Sequence, residues 1–235
     1  MNLTSWKSVT DMVKITRNNN SSKSVKAMDA LNKAKMSDSG YNIGVVTDAI
    51  VAMFHGKCYI CENKCLVSMS IDHLVLHRND LDLKYDYDNL FLACTHCNNI
   101  KGARYDKILD CTKVKVDDKI AFRAKGNILT GRQYYAEALE NDSRVLETTN
   151  LVNEVYTGNT CQKRFEAKNI IKLLNDEYVN FRSLLRDYKN SMGQIKEDSY
   201  YCIVRELRED SSFAGFKRWV IKDNMDDYPE FAEFL

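Results

Sequence analysis

Apolar residues recur at helical spacing in two stretches near the start of the chain and through most of its second half, and alternate with polar ones only in between. The polar run Asn18-Asn19-Asn20-Ser21-Ser22-Lys23, within a first segment that begins near Lys7, ends in serines that can cap a helix. That helix is predicted over about Lys23 to Met36, with Ala27, Met28, Leu31 and Ala34 on one face and Val25 at its margin. Ser37-Asp38-Ser39-Gly40-Tyr41 breaks it. A second helix follows from about Ile43 to Phe54, with Val46, Ile50 and Phe54 on one face and Gly56 as its stop, and should pack beneath the segment that comes next. Val67 to Leu76 alternates as a strand does, Asp80 to Asp88 reads as the loop of a long hairpin, and Thr95 to about Tyr105 as a short helix.

Beyond these, Lys119 to Arg123 and Ile128 to Thr130 read as a small hairpin around a Gly126-Asn127 turn. The remainder is helical: Arg144 to Tyr156, ended by Gly158; a long helix from Thr160 to about Asn190; and shorter ones near Asp198 to Arg208 and Ser212 to Asp223. Phe165, Ile170 or Ile171, Leu174, Tyr178, Phe181 and Leu185 form the stripe of the long helix. These aromatics, and Trp219, read as core rather than as platforms for stacked bases.

Composition narrows the class. With 235 residues, 44% hydrophobic and 29% charged, the chain suits one large or two small globular domains, and no apolar run approaches the roughly 20 residues of a membrane span. The opening lacks an apolar signal core, so a cytoplasmic location is expected, without membrane. Four of the eight cysteines sit in close pairs and four are scattered, which suits a reducing compartment better than a disulfide framework. Cys65, Cys111, Cys161 and Cys202 read as part-buried thiols, with Cys65 close enough to Cys61 to be weighed as a substitute ligand. A net charge of +1 is small for a stand-alone nucleic-acid binder. Residues 57–107 hold seven basic and seven acidic residues, and 160–222 thirteen and nine, so a binding surface must come from a local patch or a partner.

The chemistry concentrates in residues 58–102. Two Cys-x-x-Cys pairs, Cys58/Cys61 and Cys94/Cys97, can close a tetrahedral Zn²⁺ shell, and the chain between them is long enough for a hairpin. Inside the bracket lie Asp72-His73 and Asn89-Leu90, and after the last cysteine come Asn98 and Lys101-Gly102. Cleaving a phosphodiester needs a base near the attacking water and a cation near the phosphate. His73 is the candidate base, while the carboxylate of Asp72 and the amide oxygen of Asn98 suit a hard cation, Mg²⁺ or Mn²⁺. In a strand, neighbours face opposite ways, so Asp72 and His73 share a cleft only if the strand bends there. Lys101, Arg104 and His96 are candidate nucleic-acid contacts, each also readable as a surface side chain, and His77 is a spare base.

The order Cys-x-x-Cys, Asp-His, Asn, Cys-x-x-Cys-Asn, Lys-Gly resembles the HNH nucleases with a ββα-metal core, over about a fifth of the chain. The resemblance implies that His73 is the general base, Asp72 and Asn98 ligands of the catalytic metal, and Asn89 the residue that holds the hairpin loop against the base. Asn98 stands at the third named position in place of His, as in phage junction-resolving HNH enzymes, and Leu76-His77 stands where many relatives carry Pro. Thr149-Asn150-Leu151, Tyr156-Thr157-Gly158-Asn159-Thr160 and Glu166-Ala167 look similar to the tail of antiphage-defence HNH proteins of the Septu and retron-associated type. That likeness implies an effector nuclease acting on nucleic acid together with an ABC-type ATPase, as a homodimer within a larger complex.

The expected architecture is α+β: a zinc-stapled HNH core (57–107) between an N-terminal helical segment (1–56) and a small hairpin followed by a helical region (108–235). The alternative function is a non-catalytic zinc module for assembly or nucleic-acid binding.

Overall fold

The computed structural model describes residues 14–127 and 131–235. The first helix, α1 (Ser22–Met36), starts where the Ser21 side chain accepts a hydrogen bond from the Ser24 backbone N–H. It buries Ala27, Leu31 and Ala34 and leaves Val25 exposed. The part of the N-terminal segment before Lys14 lies outside the described residues. Helix α2 (Gly44–Met53) follows, with Val46, Ile50 and the capping Phe54 fully buried. Gly56 ends it in the left-handed region, φ 68°, its N–H closing on the Val51 carbonyl at 2.9 Å.

Strand β1 (Met69–His73) is shorter than the alternation suggests, because Val67 is fully solvent-exposed and the chain leaves the ladder after His73. It pairs antiparallel with β2 (Leu90–Cys94) in unbroken register, from Met69 opposite Cys94 to His73 opposite Leu90. The long connection is not plain loop. Asp80 caps a helical turn, α3 (Leu81–Lys84), and Asp86 caps a 3₁₀ turn at Tyr87–Asn89. Helix α4 (Thr95–Lys101) stops four residues earlier than the expected Tyr105, at Gly102 with φ 44°. β2 is an apolar run buried throughout, since α2 and α4 both pack on it and Phe54 meets Phe91 with ring centres 5.3 Å apart.

The second hairpin joins β3 (Ile120–Asn127) to β4 (Gly131–Ala138). Gly126 and Asn127 are ladder residues opposite Arg132 and Gly131, so the Gly-Asn turn does not form there, and Ile128 to Thr130 lie outside the described residues. Four helices complete the chain: α5 (Ser143–Thr157), α6 (Cys161–Asn190), α7 (Gly193–Glu206) and α8 (Ala214–Lys222), with a 3₁₀ turn at Pro229–Phe234. Gly158 between α5 and α6 has φ 64°, and a Cβ there would lie 2.5 Å from the Arg164 nitrogen, so only glycine fits. The α6 stripe buries Ile170, Leu174, Phe181 and Leu185, but Phe165 is 67% exposed: at this end Glu166 and Ala167 turn inward instead. Cys161 and Cys65 are likewise exposed rather than part-buried.

One core joins α1 and α2 to β2, β3, α5 and α8, and a second lies among α6, α7, α8 and Phe231. Trp219 is half-buried, its indole N–H donating to the Asp117 carbonyl. Beside it is a buried ion pair: Arg218 Nε donates to Asp117 Oδ2 at 2.7 Å, Lys222 adds a contact at 3.2 Å, and Arg218 also binds the Leu207 carbonyl. Burial alone would raise the Asp117 carboxyl, but Arg218 and Lys222 hold it below its ordinary value. Its contribution is therefore complete above a pH of about 4 and lost as pH falls through the lowered value. Asp117→Ala strands the Arg218 charge in the core and is expected to cost about 3–5 kcal/mol by urea denaturation at pH 7. A loss under about 1 kcal/mol would show that the pair does not anchor α8.

Candidate active site

Two chain reversals hold the four cysteines. In the first, the Cys58 N–H donates to the Asn63 carbonyl and the Glu62 N–H to the Cys58 carbonyl, with Glu62 in the left-handed region. In the second, Cys94 ends β2 and caps α4, its sulfur accepting from the Cys97 N–H at 3.4 Å. All four Sγ atoms are buried and lie within 4.8 Å of one another, and Cys61 and Cys94 are 3.9 Å apart. A tetrahedron of thiolates about 2.3 Å from Zn²⁺ has edges of about 3.8 Å, so the donors and their spacing fit zinc. Burial pushes the Cys97 thiol well up. Four thiolates can coexist here only around a cation. Cys65 is outside the cluster, so no substitute ligand is needed.

The other polar constellation lies at the open end of β1. Asp72 and His73 point to opposite faces, as strand neighbours do, and the unbroken register leaves no bulge to turn them together. Asp72 Oδ2 accepts from the Tyr59 hydroxyl at 2.7 Å, and the ammonium of Lys101 lies 3.4 Å from the carboxylate. Burial raises the Asp72 carboxyl above its ordinary value, with Lys101 and Tyr59 opposing. The His73 ring is buried against Tyr41 and His77, with ring centres 4.6 and 4.8 Å away. Its Nε2 lies 3.0 Å from the Lys84 carbonyl. A carbonyl only accepts, so Nε2 carries the proton and Nδ1 keeps its lone pair. Burial lowers the His73 pKa, with the Lys84 contact opposing, which favours the neutral ring that a base requires.

Asn89 closes the loop between the strands. Its amide donates to the carbonyls of Val75 and Leu83 and accepts from the Val75 N–H, so one side chain fixes both sides of the segment that carries Lys84 to His73. Asn98 is half-buried on α4, and its side chain makes no hydrogen bond to the described residues. It lies three residues before Lys101, on the same face of the helix. Lys101 in turn reaches the Asp72 carboxylate and donates to the His73 carbonyl at 2.6 Å. The fold thus joins Asp72, the His73 backbone and the Asn98 face of α4 through Lys101, whereas the Asp72 carboxylate and the His73 ring do not bond to each other.

Residues 58–104 match the family model described as HNH endonuclease. This segment is similar to an HNH endonuclease domain. The match begins at Cys58 and covers about a fifth of the chain; no curated protein and no solved structure matches.

Within the HNH segment, three expected nucleic-acid contacts look different in place. Lys101 is 1% exposed, an internal cation rather than a surface one. His96 is buried, Nε2 on the Val155 carbonyl and Nδ1 on Glu166, so it ties α4 to α5 and α6 and is neither a surface residue nor placed for phosphate. Arg104 is exposed, but Glu154 holds its guanidinium at 2.6 and 2.7 Å. Tyr59, Tyr41 and the Lys84 carbonyl were not singled out in sequence. Lys101 and Asn98 share a helix face by spacing, which is a readable signal; a backbone carbonyl has none.

Proposed function

We propose that the chain is a metal-dependent endonuclease that hydrolyses phosphodiester bonds of DNA or RNA. The observation that carries this reading is the buried His73 ring, its Nε2 fixed on the Lys84 carbonyl, within a hairpin that Asn89 closes and the four-cysteine centre staples. His73 Nδ1 takes a proton from a water as the water oxygen attacks phosphorus; the bond from phosphorus to the leaving sugar oxygen breaks, and that oxygen takes a proton from solvent. The oxygens of Asp72 and Asn98 suit Mg²⁺ or Mn²⁺, which when bound supplies charge stabilisation for the phosphate and the leaving oxygen. Lys101 and Tyr59 position the Asp72 carboxylate.

Two observations favour the second reading, a zinc module for assembly or nucleic-acid binding without catalysis: Asp72 and His73 lie on opposite faces of a strand with no bulge, and both Asp72 oxygens are already engaged by Tyr59 and Lys101. The two readings separate in an assay of labelled single- and double-stranded DNA and RNA without added metal, with Mg²⁺ and with Mn²⁺. Cleavage only with added metal is expected. Asn98→Ala should raise the metal concentration for half-maximal rate by roughly tenfold or more, with an unchanged melting temperature. Intact polymers under every condition, the co-purified ATPase and nucleotide included, would leave the binding reading.

The likeness of the 149–167 region to Septu and retron-associated proteins supports an effector role in antiphage defence, with an ABC-type ATPase as partner and the nuclease as a homodimer in the assembly. The small net charge is in keeping with a partner that delivers substrate, and Met192 and Ile195 stand largely exposed at the α6–α7 corner. An ATPase encoded beside the chain is then expected to co-purify with it and to make cleavage depend on nucleotide. Full, nucleotide-independent cleavage by a chain that captures no ATPase from its native cell would remove that part of the reading.

A further inference from the structure

Most charged side chains around β3, β4 and α8 are matched: Arg123 by Glu137 and Asp223, Lys217 by Glu177 and Glu206, and Arg218 by Asp117. Arg132 on β4 and Arg182 on α6 differ, since neither has a carboxylate partner among the described residues. Both approach the same ring. The guanidinium carbons of Arg132 and Arg182 lie 5.1 and 5.9 Å from the centre of Tyr178, which brings two positive charges to one ring. Arg186 follows one helical turn after Arg182, on the same face. Its own contact, Asp187 at 3.7 Å, joins two mostly exposed groups and is worth little.

These three arginines line a groove of about 500 Å³, closed on its other side by residues of α8 and the turn after it, with Ser183 and Asn224 as further polar groups. Asp227 is the only carboxylate in the lining, and Lys189 is bonded to it. Gathering guanidinium groups with little counter-charge is unfavourable in the free protein and becomes favourable once an anion enters. The planar fork of arginine matches paired phosphate oxygens in particular.

We propose that this groove binds the phosphodiester backbone of nucleic acid, as a second contact separate from the cleavage site. None of its lining residues falls within 58–104. The choice of nucleic acid over another polyanion rests on the nuclease reading. The groove also meets a need stated by the charge pattern: the HNH segment and its flanks sum to zero, and the two cations expected on α4 are held by Asp72 and Glu154. Capture of a polyanion then needs cations elsewhere on the chain or on a partner, and this groove supplies the former.

The test is a fluorescence-polarisation titration of a labelled duplex DNA of about 30 base pairs, and an RNA duplex of the same sequence, across a salt series without added Mg²⁺ or Mn²⁺. R182E/R186E is compared with wild type, and R182A/R186A controls for the reversed charge. Both positions are exposed, so zinc content and melting temperature should hold. At low salt the reversed variant should bind both duplexes about tenfold or more weakly, and the slope of log affinity against log salt should fall by about two, roughly 0.9 for each phosphate no longer neutralised. Affinity within twofold of wild type with the same slope overturns the proposal. So does a variant that loses a poly-glutamate probe while keeping the duplexes, which assigns the groove to an acidic protein segment.

A parallel Mn²⁺ cleavage assay keeps this outcome apart from the nuclease reading. Arginine-dependent binding without any cleavage by wild type supports the groove and removes the nuclease. Cleavage with arginine-independent binding removes the groove and keeps the nuclease.

Discussion

Replacing Cys94 with serine is expected to cost the protein its zinc and much of its stability. Cys94 is a donor of the four-cysteine cluster, the last residue of β2 and the cap of α4, so one change removes a metal ligand, loosens a strand end and weakens a helix start. Structural zinc sites supply roughly 10 kcal/mol or more of folding free energy in small domains. The loss should also spread beyond the HNH segment, because the first knuckle is where the C-terminal region docks. Glu62 accepts from the Phe213 N–H through its carbonyl and from the Gly215 N–H through its side chain, Lys57 donates to the Ser211 carbonyl, and the Tyr156 hydroxyl reaches the Cys61 carbonyl. For a chain of this length each kcal/mol moves the melting temperature by about 2–4 °C, so a fall of roughly 10 °C or more is expected. Native mass spectrometry should show one zinc in wild type and little in Cys94→Ser, with Cys65→Ser unchanged. A wild-type protein that is folded and free of zinc would contradict this.

How legible each feature was in the sequence follows from how local its cause is. Serine capping of α1, the buried faces of α1 and α2 and the glycine stops at Gly56 and Gly158 depend on neighbours along the chain, and each formed as the pattern implied; the four cysteines cluster across the sequence, with Cys61 and Cys94 33 residues apart, and were readable because paired Cys-x-x-Cys spacing marks a shared metal site. Boundaries drifted where tertiary contacts set them. β1 is short because Leu74 N–H already turns to the Asn89 carbonyl; α4 is short for a local reason, the stop at Gly102. The Gly126-Asn127 turn was misplaced because the ladder of β3 and β4 runs on through both residues.

The candidate site divides the same way. Asp72, His73, Asn89 and Asn98 could be named from their order, and the structure gives Asn89 a loop-closing set of bonds and His73 a fixed tautomer, while their catalytic roles are proposals for the cleavage assays to decide. The burial of Lys101 and His96 could not be read, since a lysine or histidine near the surface of a helix and one beneath a neighbouring helix have the same spacing. What decides is the arrival of α5 and α6 over His96 from some 60 to 70 residues away in sequence, and of β1, with Asp72 and the His73 carbonyl, against Lys101.

His73→Ala is expected to abolish most cleavage while leaving the metal centre intact. A positioned general base contributes roughly 10²- to 10⁴-fold, and that is the loss expected in rate. His77 lies against His73, yet its Nδ1 is turned to the Asn79 N–H, so it is not set to take over the proton. Removing a buried ring costs some stability, so His73→Gln serves beside it: a glutamine amide can keep the contact to the Lys84 carbonyl but cannot act as a base. Zinc content should equal that of wild type in both variants, because His73 lies outside the four-cysteine cluster that fits zinc.

The most direct measurement is the single-turnover rate at which zinc-replete wild type and His73→Gln cleave the same labelled polynucleotide at saturating Mn²⁺, with substrate binding measured in parallel. The nuclease account predicts a rate at least roughly 100-fold lower in the variant at equal binding. Equal rates in the two proteins, or no cleavage by either even with the co-purified ATPase and nucleotide present, would contradict it.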